Sequence, residues 1–411
     1  MIDRPGRRMM TVIAAHSAVD VYSAYLPPIL LILSNRASLT DAQAAWLLGT
    51  GSLASGLSQP ISAWISDHLD SRAFATIGLV IGAVCLSLLG LATSFVTLFG
   101  LYALGTLGVG IFHPVAAATT GQLAERSLRG NRALGLSLFF VAGMIGGISG
   151  SLIAPWLTAQ NHGFIWLGLT MIPGLVLAAL LHRAIQKTPH RHVHDPDHAI
   201  AEADPVPIEH GIRWIMVGAL WLGNAVRFTV NMALVYLVVR YAEAITAAAH
   251  PEMTKRVEVV EAAAPLGGRL LAMLLVGMAI GGLSSGALIK RGRERLPLLL
   301  TPLLCAPAVA LLPRYGVAWA QVIAVVAGIG FASMVPVSLG VAQRLLPHRT
   351  SLASSLMLGG AWFVAAIGPR LAEWCLASDR FTMEQTFTMT AIVLAVSGMT
   401  ALALRPRVLR M

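Results

Sequence analysis

His16 and Asp20 stand four residues apart in an otherwise apolar stretch near the start of the chain. On a helix that spacing puts both side chains on one face. A carboxyl group withdrawn from water resists ionisation, and an imidazole beside it exchanges a proton near neutral pH. The pair therefore has the chemistry of a proton-coupling site, although a structural hydrogen bond between helices would use the same groups. Tyr22 and Tyr25 extend the polar strip and make Tyr25 a candidate substrate contact. His113, followed by Pro114, lies in a second apolar stretch. Proline removes a backbone N–H, and irregular backbone at membrane depth belongs beside a cavity. His113 is thus a candidate for holding substrate or a proton, with a satisfied core histidine as the alternative.

Asn224, Arg227 and Asn231 recur at helical spacing in a third apolar stretch. An arginine at that depth needs a carboxylate such as Asp20, an anionic substrate, or a route for its head group to reach water. Gln59 beside Pro60 and Gln343 are lesser polar candidates. Arg370 and Glu373, three apart, read as a gate or a local salt bridge. His190, His192, His194 and His198 could bind a metal but lack a fixed frame of cysteines or carboxylates, so no metal site is expected. No P-loop, His-Glu-x-x-His or Gly-x-Ser-x-Gly motif occurs. ATP-driven pumping and hydrolytic catalysis are disfavoured, leaving an ion gradient as energy source and no cofactor.

These residues need elements that cross a membrane. Of 411 residues, 56% are hydrophobic and 12% charged, and mean hydropathy is +0.74. A soluble domain carries roughly 25% charge. At about 20 residues per span the chain accommodates about twelve helices, an all-α polytopic fold. Apolar spans fall at 9–33, 43–66, 73–93, 96–122, 134–158 and 164–186, then at 213–241, 269–289, 296–313, 317–346, 352–378 and 381–404. The first continues too long for the core of a cleavable signal. A His-rich, Pro-containing break at 187–212 separates an N-terminal six-helix bundle, 1–186, from a C-terminal one, 213–411. Residues 242–268 read as a second polar stretch with room for a short surface helix. Gly143, Gly147 and Ser151 form a small-residue stripe suited to close helix packing. A faint repeat relates Gly108-Val-Gly110 to Gly328-Ile-Gly330.

The net charge of +10 would suggest nucleic acid in a soluble protein. Here it reads as basic loops, and no nucleic-acid partner is expected. Arg126, Arg129 and Arg132, then Lys290, Arg291, Arg293 and Arg295, then Arg405, Arg407 and Arg410 fall on one side of the membrane if the spans alternate. The positive-inside rule puts that side, and both termini, in the cytoplasm. The same excess would attract anionic lipid. Cys85, Cys305 and Cys375 are scattered in apolar stretches and suggest neither disulfide nor zinc.

The motifs resemble those of the major facilitator superfamily, and within it the fosmidomycin-resistance efflux proteins. The resemblance rests on His16-Ser-Ala-Val-Asp20, on Gln59-Pro-Ile-Ser-Ala-Trp-Ile-Ser-Asp67, on Gly108-Val-Gly-Ile-Phe-His113-Pro114, on Ala342-Gln343-Arg344-Leu-Leu-Pro347 and on Ser354-Ser-Leu-Met-Leu-Gly359-Gly360. It implies a monomeric, proton-driven antiporter of a bacterial inner membrane that exports small molecules. By the same resemblance, Asp67 and Arg72 fall where the superfamily's loop between helices two and three carries a gating acid and base. Ala63 replaces the glycine that opens that motif, and Val115 stands where an acidic residue is expected after His-Pro, so drug specificity does not carry over. The residues together suggest proton coupling at Asp20 and His16, and substrate contacts from His113, Arg227, Asn224, Asn231, Gln59 and Tyr25. The expected substrate is anionic or amphiphilic. Uptake of an organic anion by symport uses the same residues, and a non-transporting scaffold or sensor would depend on the linker instead.

Overall fold

The computed structural model describes residues 4–68, 72–128, 132–160, 162–186, 209–289, 292–346, 349–377 and 381–410. The described residues are mostly helical, with no strand among them. In chain order the long helices are α1 (Pro5–Arg36), α2 (Asp41–His68), α3 (Arg72–Leu91), α4 (Phe95–Ser127), α5 (Arg132–Thr158) and α6 (Gly163–Gln186), then α7 (His210–Ala249), α8 (Arg256–Leu288), α9 (Arg295–Arg314), α10 (Val317–Leu345), α11 (Leu352–Ala377) and α12 (Met383–Ala403). Eleven of them are long and apolar enough to cross a membrane. The other, α2, has the length, at 28 residues. Its middle, Gly49 to Pro60, is rich in Gly and Ser, which lowers hydropathy but admits close neighbours. Gly56 lies where a Cβ would come within 2.8 Å of the Gly359 carbonyl oxygen on α11.

The helices form two bundles. In the first, α1 packs on α4, α5 and α6, α2 on α4, and α3 on α4 and α6. In the second, α7 packs on α8, α11 and α12, while α10 packs on α8 and α9. Between bundles, α2 meets α11, α5 meets α8, and the end of α1 reaches α7 and α8. Proline shapes several helices. Pro27 and Pro28 interrupt α1 after Ser23, and Pro336 accompanies the break in α10 after Ala332. A π-turn at Leu356–Gly360 interrupts α11.

Three expectations need correction. Residues 242–268 hold the end of α7, a short connection at 250–255 and the start of α8, rather than a loop with a separate surface helix. At 40 residues α7 is about 60 Å long, twice the hydrocarbon thickness of about 30 Å, so its charged end projects beyond the membrane. The stripe Gly143, Gly147 and Ser151 divides between two neighbours. Gly143 faces α1, as do Gly146 and Gly150, whereas Gly147 and Ser151 face Leu275 and Gly268 of α8. The repeat does not preserve faces either: Gly108 packs on α3 and Gly110 on α2, but Gly328 packs on α8 and Gly330 on α9.

The end of the bundle opposite the termini, here the far side, carries Trp46, Trp156, Trp166, Trp319 and Trp374, each at least half exposed. Exposed tryptophans near helix ends are how an amphipathic indole marks a membrane interface. On this side an ion network joins the bundles. Asp41 of α2 meets Arg240 of α7 at 3.2 Å and Arg256 of α8 at 2.9 Å, and Glu243 meets the same arginines at 2.9 and 3.0 Å. Its side chains are partly exposed, so we assign the Asp41 contacts about 1 kcal/mol in total. Asp41→Asn is then expected to raise the population separated at the far side roughly fivefold. Spin labels at Ala42→Cys and Ala244→Cys check this, since an unchanged distance distribution would rule out a bundle-joining role.

Candidate functional site

The middles of α1, α4 and α5 bring His16, Asp20 and His113 together. His16 Nε2 lies 3.3 Å from Asp20 Oδ2, and His113 Nε2 lies 3.3 Å from Asp20 Oδ1. The helical spacing supplies the first contact, and packing of α4 on α1 supplies the second. The other ring nitrogens are fixed as well. His16 Nδ1 donates to the Phe139 carbonyl of α5, and His113 Nδ1 donates to the Val109 carbonyl one turn back, both at 2.7 Å. A carbonyl oxygen only accepts, so each Nδ1 carries hydrogen. Both Nε2 atoms then face the carboxylate as lone pairs unless a cation intervenes. One proton on each Nε2 turns the repulsion into two charge-assisted hydrogen bonds.

The surroundings hold this arrangement in place. The Phe139 ring stacks on His16 at 3.6 Å with planes 4° apart, and the His113 ring stands edge-on to it with centroids 5.0 Å apart. Gly143 makes room, because a Cβ there would lie 2.5 Å from Asp20 Oδ2. His16 is buried, but the side chains of Asp20 and His113 are 16% and 29% exposed, so the cluster has a route to solvent or solute.

The other expected contacts lie elsewhere. Tyr25 is 1% exposed in the bundle core, beside Tyr22, whose hydroxyl donates to the Thr170 carbonyl of α6 at 2.7 Å. At about 100° per residue Tyr22 lies on the side of the helix away from Asp20, which ends the proposed strip. Asn224, Arg227 and Asn231 do share a face, but it is buried within the second bundle. Asn224 donates to Ser338 Oγ at 2.9 Å and to the Met357 carbonyl in the π-turn of α11 at 3.2 Å. Asn231 contacts Met278 Sδ at 3.7 Å. Arg227 is not paired with Asp20. It donates to Asn224 Oδ1 and, at 3.3 Å, to the Leu298 carbonyl of α9. Pro302 has no N–H to offer that carbonyl, and the guanidinium replaces it. Arg227→Met is expected to lower stability by about 1–2 kcal/mol. Adding Pro302→Ala, which restores the N–H, should recover part of the loss in thermal unfolding of the detergent-solubilised protein.

Gln59 sits at the contact of α2 with α11, its amide donating to Ser55 Oγ at 3.2 Å, and Gln343 ties α10 to Ser354 at 3.0 Å. Arg370 and Glu373 form a local ion pair, and Arg344 of α10 pairs with Glu294 at the start of α9. Arg72 donates to the Gln186 carbonyl at the end of α6 at 3.2 Å, a cation at a helix C-terminus. The Asp67 side chain and linker residues 187–208 lie outside the described part of the structure. Phe139 and Gly143 join the site without a sequence signal for it: Phe139 is one apolar residue among many, and Gly143 reads in the sequence as a packing residue.

The Major Facilitator Superfamily model matches residues 10–247. The chain is 24% identical over 385 residues to the fosmidomycin resistance protein of Escherichia coli (strain K12), covering 92% of this chain and 88% of that one. It is 27% identical over 195 residues to the uncharacterized MFS-type transporter YfnC of Bacillus subtilis (strain 168), covering 44% and 45%. Among solved structures, a bacterial homolog of the human lysosomal transporter Spinster, inward-facing and unoccupied, superposes with TM-score 0.70 at 16% identity, covering 100% of this chain and 98% of that one. The nucleoside transporter NupG superposes with TM-score 0.63 at 13% identity, covering 96% and 98%. At these identities the structural likenesses establish the fold. With the family match over more than half its length, this multi-pass membrane protein is a secondary transporter and belongs to the Major Facilitator Superfamily.

Proposed function

We propose that the chain is a proton-coupled antiporter that exports a small anionic or amphiphilic molecule by alternating access. The observation that carries this reading is the convergence of two histidines, each with Nδ1 already committed, on one carboxylate. Such a site takes up and releases protons without rearranging its frame. Asp20 and His16 serve as the proton store. His113, the most exposed of the three, is the ring that protons and substrate can both reach. Gln59 lies at the α2–α11 seam, which opens and closes as the bundles 1–186 and 213–411 rock. Arg227, Asn224, Asn231 and Tyr25 support the helices rather than the substrate. Arg72 steadies the gate at the terminus side.

Basic loops favour a cytoplasmic position for the termini in a bacterial inner membrane. The contacts of α2 with α11 and the Asp41 network then favour a state closed to the outside. Export is favoured over uptake by the relative named for fosmidomycin resistance, since a carrier most directly confers resistance by lowering the internal concentration. The protein functions as a monomer within anionic lipid. The reading is tested in proteoliposomes under an imposed pH gradient, with a fluorescent pH probe inside and phosphonates, organic anions and amphiphilic drugs added in turn. Substrate-evoked proton movement opposite to substrate flux is expected. Movement in the same direction would make the protein a symporter. Transport that ignores the pH gradient would remove the proton assignment.

A further inference from the structure

We propose that His16, Asp20 and His113 also form a binding site for a divalent transition-metal ion of the zinc type, taken up in exchange for protons. Two imidazole nitrogens and a carboxylate oxygen lie within 4.8 Å of one another. His16 Nε2 lies 3.3 Å from Asp20 Oδ2, and His113 Nε2 lies 3.3 Å from Asp20 Oδ1. With metal–ligand bonds of about 2.0 Å, the edge of a coordination tetrahedron is about 3.3 Å, so each nitrogen stands at that spacing from one oxygen, and a small turn of the carboxylate presents a single oxygen to both. The second shell is also in place. Each Nδ1 donates to a backbone carbonyl, which fixes the tautomer that leaves Nε2 free to ligate and orients the ring. Two imidazoles with one carboxylate suit zinc, cobalt(II) or nickel(II) better than magnesium or calcium, which prefer all-oxygen sets. Three protein ligands leave a fourth position for water or a solute group, and the exposure of Asp20 and His113 gives the ion access.

The exchange balances without redox change. When both rings are imidazolium, one divalent ion replaces two protons, one from each Nε2, and the coordinate bonds form to the lone pairs those protons occupied. The ion therefore competes with protons for the same atoms and blocks the site. This inference rests on the geometry of the three side chains and not on the direction or coupling of transport.

The test is cobalt(II) titration of the purified full-length chain in detergent, followed by visible absorption. One equivalent should develop the intense band of four-coordinate cobalt, and zinc should abolish it. His113→Gln should lose the band. A variant with His190, His192, His194 and His198 all changed to Ser should keep it. Absence of any band would overturn the proposal, as would its persistence in folded His113→Gln or its loss in the linker variant. Should His113→Gln fail to fold, X-ray absorption on the cobalt-loaded linker variant decides instead. Two imidazoles in the coordination shell are expected, and fewer than two would sink the assignment. Failure here leaves the proton-flux experiment untouched, and failure of proton coupling leaves this titration untouched.

Discussion

Asp20→Asn is expected to abolish proton movement evoked by substrate while leaving the carrier folded. Asparagine has nearly the same shape, so the contacts of α1 with α4 and α5 survive. It has no negative charge, so neither Nε2 retains an anionic acceptor. A hydrogen bond to an ionised partner is roughly twice as strong as a neutral one. Its loss, doubled because both rings face the same carboxylate, leaves two imidazoles with no reason to hold protons side by side. Flux driven by the pH gradient should fall to background. Exchange of labelled for unlabelled substrate across the membrane needs no net proton transfer and should persist. His16→Gln and His113→Gln each remove one of the two protonated positions. With the membrane potential clamped at zero, the limiting substrate gradient should then drop from the square of the proton ratio to its first power. Undiminished pH-driven flux in Asp20→Asn would overturn the role of the cluster.

Much of the fold was legible because a membrane imposes one rule: backbone polar groups must be satisfied within each span. Long apolar runs therefore had to be helices, and the structure places helices across all twelve. The sequence was less informative where helices continue into water. Residues 242–268 look like a loop by charge, but Glu243, Arg256 and Glu258 lie on helix ends that leave the membrane. Hydropathy marks the membrane's edge, not the helix's.

Of the site, the His16–Asp20 pair was legible because its spacing is local. That His113 joins it was not, since this depends on how α4 is rotated against α1. Arg227 shows the opposite failure. Its need for a partner was visible, but its answer was a carbonyl on α9 that Pro302 leaves free. A sequence shows where a proline removes an N–H, but not which side chain reaches the orphaned oxygen. Tyr25 is close to Asp20 along the chain, but a helix sorts residues by angle, and Tyr25 turns into the bundle core.

Two glycines three residues apart on α5 should separate fold from function. At Gly146 a new Cβ would overlap the carbonyl oxygen of Ser17 and lie 2.9 Å from its carbonyl carbon and 3.0 Å from its Cα. Those are backbone atoms of α1 and cannot swing aside. Gly146→Ala must push α1 from α5, and overpacking of this kind costs about 1–3 kcal/mol. At Gly143 the nearest atoms belong to the side chains of His16 and Asp20, with Nε2 at 2.8 Å and Oδ2 at 2.5 Å. They can turn, at the cost of the hydrogen bond and stacking that hold His16, so Gly143→Ala should lose less thermal stability than Gly146→Ala. In moving they must break the convergence of Nε2 on the carboxylate, and pH-driven flux should fall at least tenfold, a change of about 1.4 kcal/mol. Thermal unfolding and flux measured on both variants read the two effects separately. Wild-type flux in Gly143→Ala would show that coupling does not require this arrangement. Equal loss of stability in both would show that the α1–α5 seam, rather than the cluster, is what Gly143 serves.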